Sequence, residues 1–246
     1  MTRARRRTLL VAFVVALGIA ALLVVVVERG PAPLPPRPPG ERPTLLLLTS
    51  LPLMFGESFS LDDTGSPAMK ALAARYRVVP ISVTDPAELR KGRLLLMAHP
   101  LAQPAEDLVA LDQWVRGGGR VLLLADPLLD WPSERTLGDP MRRPPMFTDT
   151  GLLAHWGLRL DAPEQPGRRT EELGGFRIVT RSPGLLSGSC EISRDRFVAL
   201  CRVGKGEAVV VADADFLDAP RLGADARHNL DGLTAKLASL ESAPIR

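Results

Sequence analysis

From Thr8 to Val27 the chain is an unbroken apolar run with no charged side chain, and Arg3, Arg5, Arg6 and Arg7 stand before it. At about 1.5 Å of rise per residue such a run spans about 30 Å, the thickness of a bilayer's hydrocarbon core. Only a helix can satisfy its backbone there. The arginine cluster sets the N-terminus in the cytoplasm. The run is longer than the core of a cleaved signal peptide, about 7–15 residues. It ends in Val24-Val25-Val26-Val27-Glu28-Arg29-Gly30-Pro31, without a small-x-small cleavage site. The pattern predicts a basic cytoplasmic tail at 1–7, an uncleaved single-pass transmembrane helix at 8–27, a proline-rich linker at 28–43 and an extracytoplasmic domain at 44–246. In polyproline geometry, about 3.1 Å per residue, residues 31–43 would hold that domain up to about 40 Å from the lipid.

Beyond Pro43 the apolar positions change character. Thr44-Leu45-Leu46-Leu47-Leu48-Thr49-Ser50, Arg93 to Ala98, Arg120 to Ala125 and Glu207 to Ala212 are short continuous apolar runs. Such runs read as strands buried on both faces of a sheet. Arg77 to Ile81 is a further strand. Between them lie Pro67 to Arg75, with proline in its first turn, a short helix opened by Asp85-Pro86, and Pro104 to Arg116. In the last of these Leu108, Leu111, Trp114 and Val115 share one helical face, and Gly117-Gly118-Gly119 ends it. Strand and helix alternate, which predicts an α/β fold with a mostly parallel sheet flanked by helices. Phe176 to Thr180, Cys190 to Ile192 and Phe197 to Val203 form an antiparallel extension, with a tight turn at Gly204-Lys205-Gly206. Thr150 to Trp156 and Asn229 to Leu240 are helices and Leu158 to Leu160 a short strand. Residues 161–173 read as a polar loop. Residues 126–148, dense in proline, read as a long irregular loop of the kind that forms lids.

Charge and composition narrow the partners. The formal net charge is +3, but the first thirty residues carry five arginines and a single glutamate. The remainder has 26 basic and 27 acidic side chains and no basic run, so nucleic-acid binding is excluded. Arginine, alanine, leucine and proline dominate, as in a GC-rich bacterial genome, which makes the membrane the bacterial inner membrane and the domain periplasmic. Cys190 and Cys201 are spaced either as a disulfide between neighbouring strands, permitted outside the cytoplasm, or as two buried free thiols.

In open parallel sheets ligands bind beyond the carboxyl ends of the strands. This chain places Thr49 and Ser50, His99, Asp126, and Asp213 with Asp215 at such ends. Ser50, His99, Asp126, Asp213 and Asp215 are therefore the candidate ligand-binding residues. A metal reading would use His99, Asp126, Asp213 and Asp215, but the spacing is not that of a structural metal site, and neither metal nor cofactor is expected. Competing roles exist for each. Asp126 before proline can fix a turn, Asp213 or Asp215 can cap the next turn, and His99-Pro100 can simply end a strand. No Gly-x-Ser-x-Gly elbow is present: Ser187-Gly188-Ser189 falls in the antiparallel region. No catalytic residue is assigned.

The tail Asp213-Ala214-Asp215-Phe216-Leu217, followed by Asn229-Leu230-Asp231 on a helix, resembles the auxiliary extracytoplasmic proteins of gliding-motility-type ABC transport systems. Leu111 to Ala125, a helix-glycine-strand unit, is similar to theirs and to class I glutamine-amidotransferase-like domains. The resemblance implies a glutamine-amidotransferase-like or flavodoxin-like fold and association with permease and ATPase subunits. Amidotransferases of this fold carry a cysteine after the third strand, where this chain has Ala98-His99-Pro100. Their distal histidine-x-glutamate pair is also missing, since Asn229-Leu230 follows His228. Without nucleophile and base there is no route to glutamine hydrolysis. The sequence thus predicts a non-enzymatic, membrane-anchored auxiliary or binding component of an ABC-type transport system. The alternative is a hydrolase-like enzyme acting on an envelope polymer or small molecule through the His/Asp cluster. N-terminal sequencing of the protein from membranes is expected to return the intact chain; a mature form beginning after residue 28 would contradict the anchor.

Overall fold

The computed structural model describes residues 31–54, 65–136, 138–139 and 142–243. The apolar run 8–27 and the tail 1–7 lie outside the described residues. Among the described residues no helix is long and apolar enough to cross a membrane.

Residues 34–246 form one compact unit. Its first half alternates β1 (Thr44–Thr49), α1 (Pro67–Ala73), β2 (Arg77–Pro80), α2 (Pro86–Leu89), β3 (Leu94–Ala98), α3 (Ala105–Arg116) and β4 (Arg120–Leu124). Then come α4 (Leu152–His155), β5 (Leu158–Asp161), β6 (Arg168–Leu173), β7 (Phe176–Arg181), β8 (Leu185–Gly188), β9 (Glu191–Ile192), β10 (Val198–Val203) and β11 (Gly206–Val211). The chain closes with α5 (Ala219–Leu222) and α6 (Asn229–Ser242). One seven-stranded sheet runs in the order β2-β1-β3-β4-β11-β10-β9. The first five strands in that order are parallel, and β10 pairs antiparallel with both β11 and β9.

The apolar runs explain the centre. Leu45 to Leu48, Leu94 to Ala98 and Val121 to Leu124 are buried along their whole length, because helices cover both faces. Right-handed crossovers put α1 with α6 on one face and α2 with α3 on the other. Local caps begin these helices: Ser66 Oγ accepts from Met69 N at 3.1 Å and Asp85 Oδ1 from Glu88 N at 2.7 Å. At the end of α3, Gly118 takes a positive φ of 106°. A Cβ on Gly119 would lie 2.3 Å from the Trp114 ring, so this stop signal is also a packing requirement.

Two elements depart from the sequence reading. Residues 168–173, expected in a polar loop, form β6, paired antiparallel with β7. Leu185–Gly188 forms β8, paired with β5. The proline-rich segment is also more closely held than a free spacer would be. Arg37 N donates to Ala74 O at 2.9 Å, and its guanidinium pairs with Glu241 at 3.0 Å and lies 5.4 Å from the Tyr76 ring centroid. Arg75 donates to Pro35 O. Residues 34–43 thus belong to the compact unit. Cys190 and Cys201 are joined, with Cα atoms 4.8 Å apart, tying β10 to the residue before β9.

Asn229, at the start of α6, is fully buried. Its Oδ1 accepts from Val179 N at 2.8 Å, and its Nδ2 donates to Val179 O at 2.7 Å and Phe216 O at 2.8 Å. One side chain therefore joins β7, the turn after β11 and the last helix. Asn229→Ala leaves three buried backbone groups unpaired and is expected to cost about 3 kcal/mol, read as a lower urea midpoint with an unchanged m-value; a shift below about 0.5 kcal/mol would refute this role.

Candidate functional site

The carboxyl ends of the parallel strands carry every residue singled out from the sequence, but the structure divides them into two groups. At the crossover between β1 and β3, where strand order reverses, the hydroxyls are already engaged. Thr49 Oγ1 donates to Ala98 O at 2.8 Å and Ser50 Oγ to His99 O at 2.5 Å. They lock β1 to β3 and leave Ser50 no free proton for a ligand.

One strand further on, Asp126, Asp213 and Asp215 converge. Each offers a carboxylate oxygen within 4.8 Å of the others. Asp126 and Asp213 are 0% exposed and Asp215 3%. Their hydrogen bonds are structural. Asp126 Oδ1 accepts from Leu128 N at 2.8 Å, an Asx turn, and its Oδ2 from Ala214 N at 3.0 Å. Asp213 Oδ1 accepts from the Thr180 hydroxyl and, at 3.2 Å, from Phe216 N, which caps the turn Asp215–Leu217. Asp215 takes Asp130 N in both oxygens, at 3.0 and 2.9 Å. The cluster therefore stitches the end of β4, the end of β11 and the long loop together.

His99 does not join it. Its ring is 0% exposed and turned toward the loop, where Nε2 donates to Pro144 O at 3.0 Å. Burial lowers its pKa below the ordinary histidine range, so it is held neutral as the Nε2–H form. The His99, Asp126, Asp213, Asp215 constellation postulated for acid–base chemistry is thus not assembled. The two ends of loop 126–148 are latched together: Phe147 N donates to Asp126 O at 2.6 Å and Leu129 N to Pro145 O at 2.9 Å. Asp130, held by Asp215, also pairs with Arg181 at 2.7 Å and Arg221 at 3.1 Å. Asp130, Thr180 and these arginines went unnoticed in the sequence. They lie at the end of β7, in the long loop and in α5, away from the parallel strand ends that were read from the sequence, and only pairing in space reveals them.

Three carboxylates this close cannot all ionise out of water. Burial, and then the charge of its neighbours, raises Asp213 well above the ordinary range. Asp215 is pushed up to about 8, first by burial and then by Asp126. Asp126 rises to about 6 by burial, although the N–H groups of Ala214 and Leu128 oppose it. Oxygen donors of this kind suit a hard cation, and Asp213 Oδ2 has no hydrogen-bond partner among the described residues. A shared proton satisfies the same oxygen. The cavity that reaches Asp215, walled by Asp130, Arg181, Asp218 and Arg221, holds about 10 Å³, room for a single water. A cleft of about 870 Å³ opens elsewhere, between β9, the β6–β7 turn and α6.

A family model described as an ABC-type uncharacterized transport system matches residues 42–164. The chain belongs to this family. The match runs from β1 through the latched loop to β5, so it takes in the point where strand order reverses and the first wall of the carboxylate cluster. A search of curated proteins finds no significant sequence relative. Among solved structures, the mmIFT52 N-terminal domain is similar at a TM-score of 0.51 and 13% identity, covering 82% of this chain and 99% of that one. Exo-β-1,4-mannosidase Op5Man5 from Opitutaceae bacterium strain TAV5 matches at 0.46 and 12%, covering 90% of this chain. The chain spans 38% of the mannosidase's length. Cytoplasmic protein STM3548 from Salmonella typhimurium matches at 0.45 and 9%, over 80% of this chain and 98% of that one. At these identities the likeness concerns the fold alone.

The raised carboxyls make stability depend on pH with a definite sign. A group whose folded pKa exceeds its unfolded value stabilises the fold below the unfolded pKa, and the gain is lost as pH rises through the folded pKa. For Asp215 that window runs from about 3.8 to about 8. Below about pH 6.5 His99, with its lowered pKa, acts in the opposite sense. Acidifying from pH 8.5 to 6.5 is therefore expected to add on the order of 2 kcal/mol. Urea titrations at each pH measure it, and Asp215→Asn should flatten the profile; a wild-type profile already flat over this window would show that the acids titrate normally.

Proposed function

We propose that this member of the auxiliary ABC-transport family is a non-enzymatic component, anchored in the inner membrane by residues 8–27, with the 34–243 domain displayed in the periplasm to bind the transporter's permease and, through it, to associate with the ATPase subunits. The observation that carries the non-enzymatic part is the closed carboxyl edge. The residues that an α/β enzyme would present to substrate are buried and committed to holding backbone N–H groups. The step after β3 has no thiol: Ala98-His99-Pro100 stands where a glutamine-amidotransferase-like domain would need its nucleophile. His99 donates to Pro144 O instead of activating anything. The domain keeps the architecture of such folds without their chemistry, which suits a module that presents surfaces.

The Cys190–Cys201 bridge supports the periplasmic address, because structural disulfides persist in oxidising compartments. The arginines at 3, 5, 6 and 7 support the orientation. Purification of the full chain at native levels in mild detergent is expected to bring down a multi-span permease and an ATPase subunit. Recovery of the chain alone under conditions that keep other transporters intact would contradict the proposal.

A further inference from the structure

The two edges of the sheet differ in charge, and the difference comes from where each strand begins. Register aligns Thr44 of β1 with Arg77 of β2, and Arg120 of β4 with Leu94 of β3 and Glu207 of β11. The turns that feed these starts form one continuous rim, the amino edge. Exposed on it are Lys70, Arg77, Arg90, Lys91, Arg93 and Lys205. Among the described residues Lys70, Arg90, Arg93 and Lys205 make no ion pair. The acids in the same turns are few and partly spent: Glu88 is taken by Lys91 at 2.5 Å and Glu241 by Arg37 at 3.0 Å. Asp112 is taken by Arg116 at 2.6 Å, and Glu41 and Glu207 remain. The rim is therefore strongly basic although the chain beyond residue 30 is nearly neutral.

The chain enters the domain at this same edge. Residues 34–43 are clamped beside it, with Arg37 N on Ala74 O, Arg75 on Pro35 O and Arg42 Nε on Arg37 O at 3.0 Å. Only residues 28–34 then separate the apolar run from the clamp. At the extended limit of about 3.3–3.6 Å per residue they reach at most about 25 Å. A short tether keeps the rim at high effective concentration next to a surface.

We propose that this basic amino edge docks on anionic lipid headgroups of the membrane that holds the chain, with the closed carboxyl edge turned away from the lipid. The proposal rests on the anchor at residues 8–27. Each Lys or Arg near an anionic surface strengthens attachment severalfold, within a Debye length of about 8 Å at physiological salt. The occupant is lipid because the rim's charge is spread across the turns before several separate strands, which matches a charged plane rather than a single carboxylate or phosphate pocket.

The full chain, reconstituted in nanodiscs of phosphatidylcholine alone or with phosphatidylglycerol, tests this by amide hydrogen exchange. The turns at 90–93 and 203–206 are expected to exchange about tenfold more slowly in the anionic discs. The slowing should vanish in 1 M salt and in a Lys91→Gln, Arg93→Gln, Lys205→Gln variant, whose exchange in the buried strands should stay that of wild type. Equal exchange in both discs, by a chain that has inserted, overturns the docking and leaves the anchor standing. A chain that fails to enter either disc overturns the anchor and the docking with it. Slowing seen only in native membranes together with transporter subunits overturns the lipid and assigns the rim to protein.

Discussion

Burial of three aspartates at one point governs how the carboxyl half of this molecule is organised. Asp126 comes just after β4, as Asp213 and Asp215 do after β11, and those strands are neighbours. Removed from water, three carboxylates must be neutralised or heavily hydrogen-bonded. Here they do both: protons are retained to unusually high pH, and the oxygens collect N–H groups from residues 128, 130, 214 and 216. Those donors belong to the long loop and to the turn after β11. The cost of burying acid is thereby converted into a roof over the sheet. Because the roof is closed, the place where this architecture ordinarily binds small molecules becomes a structural joint.

Much of the sheet was legible because parallel strands covered on both faces leave a plain signature. Leu45 to Leu48 and Val121 to Leu124 can hardly be anything else. The flanking helices were visible through their starts and stops, Pro67, Asp85-Pro86 and Gly117 to Gly119. The β6–β7 hairpin was harder. Arg168 to Glu172 is polar and almost wholly exposed, so β6 shows no apolar alternation; pairing with β7, whose inward side chains are buried, holds it in place. β8 hides for a related reason, since Leu185-Leu186 runs into Ser187-Gly188, a sequence that reads as a turn.

The candidate site was legible as a set of strand ends and illegible as a geometry. Reading the residues just past β3, β4 and β11 is enough to find His99, Asp126, Asp213 and Asp215. It cannot tell that β4 and β11 are adjacent while β3 stands one place away, nor that the His99 ring turns to Pro144 O. Tertiary partners such as Asp130 and Thr180 carry no local signal at all. Asn229 did carry one, as the residue opening the last helix, yet its work is to bond β7 and Phe216 O rather than to cap. At the carboxyl edge, the aspartates and the loop residues they hold form a joint between the ends of β4 and β11.

A closed edge requires the aspartate cluster to hold a proton, and its latch, at neutral pH. Carbon-13 NMR of the full chain in detergent, labelled at aspartate carboxyl carbons, measures this directly. At least one aspartate resonance is expected to be still protonated at pH 7, to titrate near pH 8 and to be lost in Asp215→Asn. If every aspartate carboxyl is ionised by about pH 5, as ordinary solvated carboxyls are, the cluster is open to water or cation-bound, and the sealed carboxyl edge is contradicted.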